Sequence, residues 1–309
     1  MKKRAIIAIA ILFFVSIATI FIYITTTINV KHNYNLPSNK PQTITQYLQD
    51  KNISTNIIDQ LALSYLKPAK GWVYINKTKL PRYRFWIELS SQNNRYKIAT
   101  IIPGETTYFV LKDLANKLDY NLTKLKTAYK TYQQYKEGNI LANTYHIPSY
   151  YSETKAIKYL IDKSIKKYKK IAQTNHIKFK DLKKYIIVAS ILEKESANKE
   201  EMPLIASVIY NRLNKKMRLQ VDGSLNYGEF SHTKVTPLQI KNDKTTYNTY
   251  KHKGLPKEPV CNISLTSLKS AIHPAQTDFL YFVKKDKKSH RFSKTFKKHR
   301  ENIKLIEEF

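Results

Sequence analysis

Apolar residues recur at helical spacing in the middle of the chain, and the pattern ends abruptly in two acids. Leu182, Ile186 and Ala189 follow one another every three or four residues, which predicts a helix with one buried face. Glu193 and Glu195 close this stretch. Residues two apart on a helix point about 200° away from each other, so both carboxyl groups cannot face one pocket. If the helix reaches an active site, we expect it to present a single acid there.

The rest of the chain mixes extended and helical patterns. Strands are predicted where aromatic and β-branched residues cluster, at residues 71–75, 84–89, 96–102 and 279–283. Helical spacing predicts helices at residues 43–66, 105–118, 121–135, 154–176 and 202–213, with a last one from about residue 295. This mixture predicts the α+β fold class.

A long apolar segment preceded by positive charge opens the chain. Residues 5–24 carry no charged side chain, and Lys2, Lys3 and Arg4 come directly before them. About 20 apolar residues span the hydrocarbon core of a bilayer. A cleaved signal peptide is the alternative, but its apolar region is typically about 7–15 residues and ends in a small-x-small site, which is missing here. We therefore expect an uncleaved transmembrane anchor.

The positive flank orients this anchor. Lysine and arginine stay on the cytoplasmic side, so residues 1–29 are expected to form a cytoplasmic stub and a single-pass anchor in the cytoplasmic membrane, with the body outside. The polar residues 30–42, which include two prolines, are expected to form a linker.

The composition is strongly basic, with a net charge of +31 from 54 basic and 23 acidic residues. Such an excess raises nucleic acid as a partner, but only eight of the basic residues are arginines, the side chain that phosphate and base recognition favours. Together with the expected export, this argues against nucleic acid. We interpret the charge as a lysine-rich compositional bias, part of which can attract an anionic polymer or a membrane surface. The lone Cys261 and eight unclustered histidines predict no disulfide, no metal site and no cofactor.

Six blocks of sequence resemble the YceG-like family of endolytic murein transglycosylases and follow the family's order. They are ILEKES at 191–196, YNRL at 210–213, MRLQVDGSLNYG at 217–228, TTYNTYKHKGLP at 245–256, LKSAIHPAQTDFLYFV at 268–283 and HRFSKTFKKH at 290–299. In the family's motif the catalytic acid is the glutamate directly before Ser or Thr, which here is Glu195 before Ser196. The family usually has Pro after the acid of its QTDP element, whereas Gly223 follows Asp222 here. This departure concerns the shape of a loop and not the acid.

The resemblance also implies an architecture. It consists of an N-terminal transmembrane helix, a small LysM-like α+β module at residues 43–125 and a C-terminal α+β lytic transglycosylase domain at residues 126–309. For residues 43–125, the alternative to a LysM-like module is a generic α+β spacer.

The implied activity is endolytic cleavage of MurNAc–GlcNAc bonds in nascent peptidoglycan strands, with formation of 1,6-anhydroMurNAc. Such cleavage would end strand elongation near the membrane. Peptidoglycan strands are then the substrate, and peptidoglycan synthases are candidate partners. A non-catalytic peptidoglycan-binding scaffold of the cell-wall machinery is the alternative function.

A lytic transglycosylase needs one acid and not two. The 6-hydroxyl of the muramyl sugar itself attacks, so one carboxyl serves first as acid and then as base. Glu195 suits this role, and burial beside Ile191 and Leu192 is expected to raise its pKa. Asp222 and Glu137 are the alternative second acids, and Glu137 is also explained as a structural carboxylate at a helix end.

Polar residues of the matching blocks are candidates to hold the glycan, and a structural role is the alternative for each. They are Ser196, Asn211, Gln220, Asp222, Tyr227, Tyr247, Asn248 and Tyr250. Tyrosines in particular offer a flat face to a sugar ring and a hydroxyl at the edge. Arg212 is expected to be structural, paired with an acid such as Glu193.

Overall fold

The computed structural model describes residues 2–286 and 288–307. Within them the helices are α1 (Lys2–Thr25), α2 (Pro41–Gln49), α3 (Ile57–Leu66), α4 (Arg82–Ser90), α5 (Thr107–Leu118), α6 (Leu122–Tyr132), α7 (Glu153–Thr174), α8 (Leu182–Glu195), α9 (Met202–Asn214), α10 (Pro237–Asn242), α11 (Leu265–Ile272) and α12 (Phe296–Glu307). The strands are β1 (Thr27–Asn29), β2 (Asn33–Leu36), β3 (Gly71–Tyr74), β4 (Lys79–Pro81), β5 (Tyr96–Ile101), β6 (Asn143–Pro148), β7 (Tyr281–Lys284) and β8 (His290–Ser293). This confirms the mixture of helices and strands that the sequence predicts.

The strands pair two by two. β1 pairs antiparallel with β4, β2 with β3, and β7 with β8, while β5 pairs with β6. In the last C-terminal pair Phe282 lies opposite Phe292, and Lys284 lies opposite His290. Two-stranded ribbons are marginally stable alone, and helices pack on two of these pairs: α4 contacts β4, and α9 and α12 contact the β7–β8 pair.

The chain folds into two compact units. Unit 1 comprises the residues up to Ile98 together with His146–Ser152, and unit 2 comprises Ala99–Tyr145 together with the residues from Glu153 onward. The strands β5 and β6 carry the chain from one unit into the other and back. The expected boundary between residues 125 and 126 falls inside α6, and the identity of the LysM-like module stays a prediction.

Unit 1 differs from the sequence prediction at residues 84–89. The aromatic and branched side chains there favour a strand, but the structure has α4 from Arg82 to Ser90, so the strand prediction is wrong. Phe85, Trp86 and Leu89 are buried on one face of this helix. Their spacing of one, three and four residues fits a helix packed on a core, and this burial outweighs the β-propensity.

The first helix is long and apolar enough to cross a membrane, with a span at Ile6–Thr25. A signal sequence near an N-terminus meets the same criterion. α1 leads into β1 with only Thr26 between them. The segment 30–42, expected to be a linker, contains β2, whose Tyr34 and Leu36 are buried in the core of unit 1.

Unit 2 is built around α8. Every side chain of α8 from Ile186 to Leu192 is buried, which is a wider buried surface than the single face expected from the sequence. A helix that is apolar all round belongs in the centre of a core, and α9 and α11 pack against α8 from two sides. The burial of residues 186–192 therefore determines the position of the last turn of α8, which carries Glu193 and Glu195.

Candidate active site

Glu195 stands at the end of the buried helix, where α8 opens onto a cleft. It is the last residue of α8, and Ser196 leaves the helix with an extended backbone. The cleft has a volume of about 510 Å³, and Glu195 lies in its wall with Asp222 and Tyr250. The other acid of the helix, Glu193, accepts the backbone N–H of Ser264 at 2.8 Å. The structure thus brings one of the two carboxyl groups to the cleft, as the helical geometry predicts.

The surroundings of Glu195 favour the protonated acid. Burial raises the pKa of Glu195 to about 7; the hydrogen bond from Gly223 opposes this rise, and the nearby charge of Asp222 adds to it. The N–H of Gly223 donates to Oε1 of Glu195 over 2.5 Å. Near neutral pH the carboxyl can therefore both give and take a proton, which is the property required of an acid that later acts as a base.

Gly223 is tightly confined beside the acid. A Cβ atom on this residue would lie 2.5 Å from Cβ of Lys194 and 2.6 Å from Oε1 of Glu195. Any larger side chain would displace the carboxyl group. The proline that usually follows the acid in the family would also lack the N–H that donates to Glu195, so the departure at Gly223 is part of how this chain holds its acid.

Asp222, Gln220 and Tyr250 lie together in the same wall of the cleft. The hydroxyl of Tyr250 donates to Oδ1 of Asp222 over 2.6 Å. Gln220 has a backbone φ of 50°, a left-handed conformation that non-glycine residues adopt only when their surroundings impose it. Its N–H donates to the carbonyl of Thr249 at 3.2 Å. These contacts fix the segment that carries Gly223 and Asp222.

Five further side chains that line the cleft come from the last part of the described chain and were not singled out from the sequence. They are Tyr281, Phe282, His290, Phe296 and His299. Glu201 holds His290 in place: its carboxylate accepts the backbone N–H of His290 at 2.7 Å and lies 2.8 Å from Nδ1 of the ring. The available signal was the HRFSKTFKKH block, which carries both histidines, but nothing in the sequence links it to Glu201.

Arg212 lines the cleft, and it pairs with no acid among the described residues. Its guanidinium donates to the carbonyls of Leu280 and Leu219, at 2.6 Å each. The expected pairing with an acid such as Glu193 is wrong. The arginine instead links α9 by hydrogen bonds to the backbone at Leu219 and at Leu280. Its structural character, in contrast, is evident in these bonds to backbone oxygens.

The remaining glycan candidates lie elsewhere in unit 2, and most of them make structural contacts there. The amide of Asn211 donates to the carbonyls of Thr277 and Phe279, and that of Asn248 donates to two carbonyls while its side chain is fully buried. Tyr227 stacks on Tyr247 with ring centroids 4.3 Å apart. Ser196 has a buried hydroxyl with no partner among the described residues. In the described part of the chain, the cleft wall includes Gln220, Asp222 and Tyr250 but none of these others.

Glu137, the other alternative acid, is buried at the start of α5. Its carboxylate accepts the backbone N–H of Thr107 at 2.7 Å and the hydroxyl of Thr107 at 2.6 Å. Burial raises the pKa of Glu137 to about 7. These contacts are those of a carboxylate that caps a helix. Among the described residues, no group of His, Cys, Asp and Glu could hold a metal ion.

The comparison with known proteins assigns the chain to a family. A model of the YceG-like family matches residues 36–305. The chain belongs to the YceG-like family. The matched region includes every residue of the cleft described above, so the site lies within the family's own domain.

Two relatives of this YceG-like chain are endolytic murein transglycosylases. It is 31% identical over 233 residues to the endolytic murein transglycosylase of Bacillus subtilis (strain 168), a match that covers 70% of the chain and 64% of that protein. It is 35% identical over 160 residues to the endolytic murein transglycosylase of Streptococcus pneumoniae serotype 2 (strain D39), which covers 48% of the chain and 28% of that protein. The chain thus spans only part of the length of these relatives.

A solved structure shares the fold. The crystal structure of a yceG-like protein from Listeria monocytogenes matches with a TM-score of 0.58 at 22% identity, and the match covers 89% of this chain and 98% of that one. At this identity the likeness concerns the fold alone.

Proposed function

We propose that this YceG-like chain is a membrane-anchored endolytic peptidoglycan lytic transglycosylase. It would cleave MurNAc–GlcNAc bonds in nascent glycan strands and leave 1,6-anhydroMurNAc ends. The observation that carries the proposal is the geometry of Glu195: it ends the buried helix α8 at the wall of the cleft, accepts the N–H of Gly223, and has its pKa raised to about 7 by burial. The relatives from Bacillus subtilis and Streptococcus pneumoniae, both named endolytic murein transglycosylase, support it.

In the proposed reaction Glu195 acts twice. Protonated Glu195 gives its proton to the glycosidic oxygen as the bond to the muramyl carbon breaks. The carboxylate that remains then takes the proton of the muramyl 6-hydroxyl, which attacks the same carbon and closes the anhydro ring. Because the nucleophile belongs to the substrate, orientation supplies much of the rate. Both roles need a pKa near the working pH, which the burial of Glu195 provides.

Other residues of the cleft would bind and orient the glycan. Tyr250, Tyr281 and Phe282 line it and offer flat faces to sugar rings. The carboxylate of Asp222, held by Tyr250, lies near enough to Glu195 to influence its pKa. In this role it would stabilise positive charge that develops on the sugar as the bond breaks.

We further propose that α1 anchors the protein in the cytoplasmic membrane, with the N-terminus inside and both units outside. The support is the apolar span Ile6–Thr25 and the positive flank before it. The LysM-like character of residues 43–125 and a role beside peptidoglycan synthases belong to the same proposal. Protease added to intact spheroplasts should degrade all but the anchor, and full protection of residues 30–309 would overturn this topology.

The decisive experiment is a mass analysis of glycan ends. The full chain in detergent micelles is incubated with purified glycan strands, beside Glu195→Gln and the matched control Glu193→Gln. We expect 1,6-anhydroMurNAc ends from the wild type and the control, and at least roughly 10²-fold fewer from Glu195→Gln. If the wild type bound glycan but never cut it, the enzyme proposal would be wrong and the alternative, a non-catalytic peptidoglycan-binding scaffold, would be favoured.

A hydrolase is the second candidate, and one observation favours it. The carboxylate of Asp222 lies close to Glu195 in the same wall, and glycoside hydrolases generally use two carboxyl groups. Reducing muramic acid ends in the same mass analysis would identify this reaction, and loss of those ends in Asp222→Asn would assign the second acid.

A further inference from the structure

Helix α3 carries three large apolar side chains that face away from the core of unit 1. Ile57 and Leu61 are each 63% exposed, and Tyr65 is 85% exposed. They are spaced four residues apart, so they form one row on the helix; we refer to Ile57, Leu61 and Tyr65 as the apolar stripe. The opposite face of α3 buries Asp59 and Leu63. Apolar rows of this kind on the surface of a protein mark a contact with a partner or a membrane.

The apolar stripe belongs to a helix that is bonded to the end of α1. The hydroxyl of Tyr23, in the last turns of α1, donates to the carboxylate of Asp59 on α3. The same carboxylate accepts the indole N–H of Trp86 at 2.9 Å and pairs with Arg82 at 3.1 Å. The Arg82 guanidinium also lies over the ring of Tyr23, 4.3 Å from its centroid. α3 and α4 are thus held directly at the end of the apolar helix.

This attachment is buried and is reinforced by the backbone. Asp59 is 1% exposed and Arg82 is 4% exposed, and breaking one partner of such a buried ion pair is costly. The strand β1 starts immediately after α1 and pairs with β4, with Ile28 opposite Leu80. Where α1 leaves the apolar layer of a membrane, α3 and α4 must therefore lie close to its end.

The charge and the exposed aromatic residues of this region suit a membrane surface. Residues 26–98 contain eleven basic and three acidic residues, a net charge of +8, which attracts anionic lipid head groups. On α4, Tyr83 and Ile87 are also exposed, at 39% and 45%. Tyrosine is enriched at the boundary between lipid and water because its ring is apolar and its hydroxyl is polar.

We propose that the apolar stripe of α3 is inserted in the interface of the bilayer that α1 spans, so that unit 1 rests on an anionic membrane surface. This rests on the proposed membrane anchor. Continuity with α1 selects the bilayer over a protein or a glycan as the occupant, because the lipid is within reach of α3 wherever α1 is inserted. The helix would lie in the interface with its apolar row downward, as amphipathic surface helices do.

The test uses nitroxide labels on the full chain in nanodiscs that contain phosphatidylglycerol and phosphatidylcholine. Cys261 is buried and is replaced by Ala, so that each variant carries one label. The probe position is Leu61→Cys. The matched control is Asn39→Cys, an exposed position of unit 1 outside the stripe, and the reference is Phe14→Cys in α1, where the side chain is 69% exposed. Collisions with oxygen report lipid, and collisions with a water-soluble nickel chelate report water.

We expect the label at 61 to resemble the label at 14, with oxygen collisions several-fold above those at 39 and chelate collisions several-fold below. If the label at position 61 had the same collision rates as the label at 39, while the label at 14 was in lipid, this inference would be overturned and the proposed anchor would stand. A label at 61 that is shielded from both reagents would identify a protein or glycan contact and would also overturn it. A label at 14 that collides with the chelate would overturn the anchor itself, and this inference with it.

Discussion

A glutamate held largely out of water at the end of a buried helix lowers the stability of the fold whenever it is charged. The substitution Glu195→Gln keeps the size of the side chain and leaves an amide oxygen to accept the N–H of Gly223, now bonded to Oε1 over 2.5 Å. The charge and the transferable proton are removed together. We expect cleavage to fall by roughly 10²–10⁴-fold, while the stability of unit 2 rises at alkaline pH.

The size of that rise follows from the two pKa values. Burial raises the pKa of Glu195 from 4.5 to about 7, so the folded state binds the proton more tightly than the unfolded chain does. The cost to folding is absent well below the lower value, grows between the two, and is complete above the higher one. Linkage gives about 1 kcal/mol at pH 5 and about 3 kcal/mol at pH 8. Gln cannot ionise, so the variant should gain these amounts.

Urea unfolding of the full chain in detergent micelles measures the difference. Far-UV circular dichroism at pH 5 and pH 8 follows both units. The two tryptophans, Trp72 and Trp86, lie in unit 1, so tryptophan fluorescence reports that unit separately in the same samples. We expect the transition of unit 2 to shift to higher urea in Glu195→Gln at pH 8, with a much smaller shift at pH 5 and an unchanged fluorescence transition.

Two results would refute this reasoning. A stability difference of the same size at both pH values would mean that the carboxyl of Glu195 titrates as it does in the unfolded chain, so that burial does not raise its pKa. Normal cleavage by Glu195→Gln would mean that another group is the acid, whatever the stability shows.

Three further predictions concern neighbouring groups. Glu193→Gln should cut glycan within a few-fold of the wild type, because an amide oxygen can still accept the N–H of Ser264; a loss as large as that of Glu195→Gln would reassign the acid. Gly223→Ala should lower the cleavage rate by roughly 10²-fold, since its Cβ would lie 2.6 Å from the carboxyl oxygen of Glu195. Its control Gly254→Ala introduces backbone strain, because Gly254 has a φ of +86°, and should lower stability; its Cβ meets nothing within 4 Å, so it should still cut at the wild-type rate, and equal rates for the two variants would contradict the role of Gly223. Glu137→Gln should raise stability more at pH 8 than at pH 5 and leave cleavage unchanged, because burial raises the pKa of Glu137 to about 7; urea curves and the end-group assay check both parts.

Local pattern was sufficient for the helix that carries the acid. The run of apolar residues up to Leu192 predicts α8 and its buried face, and helical geometry separates Glu193 from Glu195, as the structure confirms. The prediction from local pattern failed at residues 84–89, where aromatic and branched side chains favour a strand. Only the packing of Phe85 and Trp86 against the core shows that the period is helical.

The part of the cleft lining that comes from the last residues of the described chain could not be predicted, because it depends on contacts between distant parts of the chain. Glu201 and His290 are 89 residues apart in sequence, and neither has a local pattern that indicates the other. The roles of Asn211 and Asn248 were open for the same reason. Their amides are used by backbone carbonyls, and a sequence does not show which carbonyls lie within reach.

The junction between α1 and β1 is too short to be flexible, so the orientation of unit 1 would depend on the thickness of the membrane that α1 spans. Only Thr26 separates the two elements, and its carbonyl accepts the N–H of Arg82 at 3.0 Å. A loose tether would let the following unit swivel freely, whereas this junction transmits any rotation of the helix. The tilt of a transmembrane helix changes with the thickness of the hydrocarbon layer. In an anchored chain, a thinner bilayer that tilts α1 would therefore turn unit 1 through the same angle.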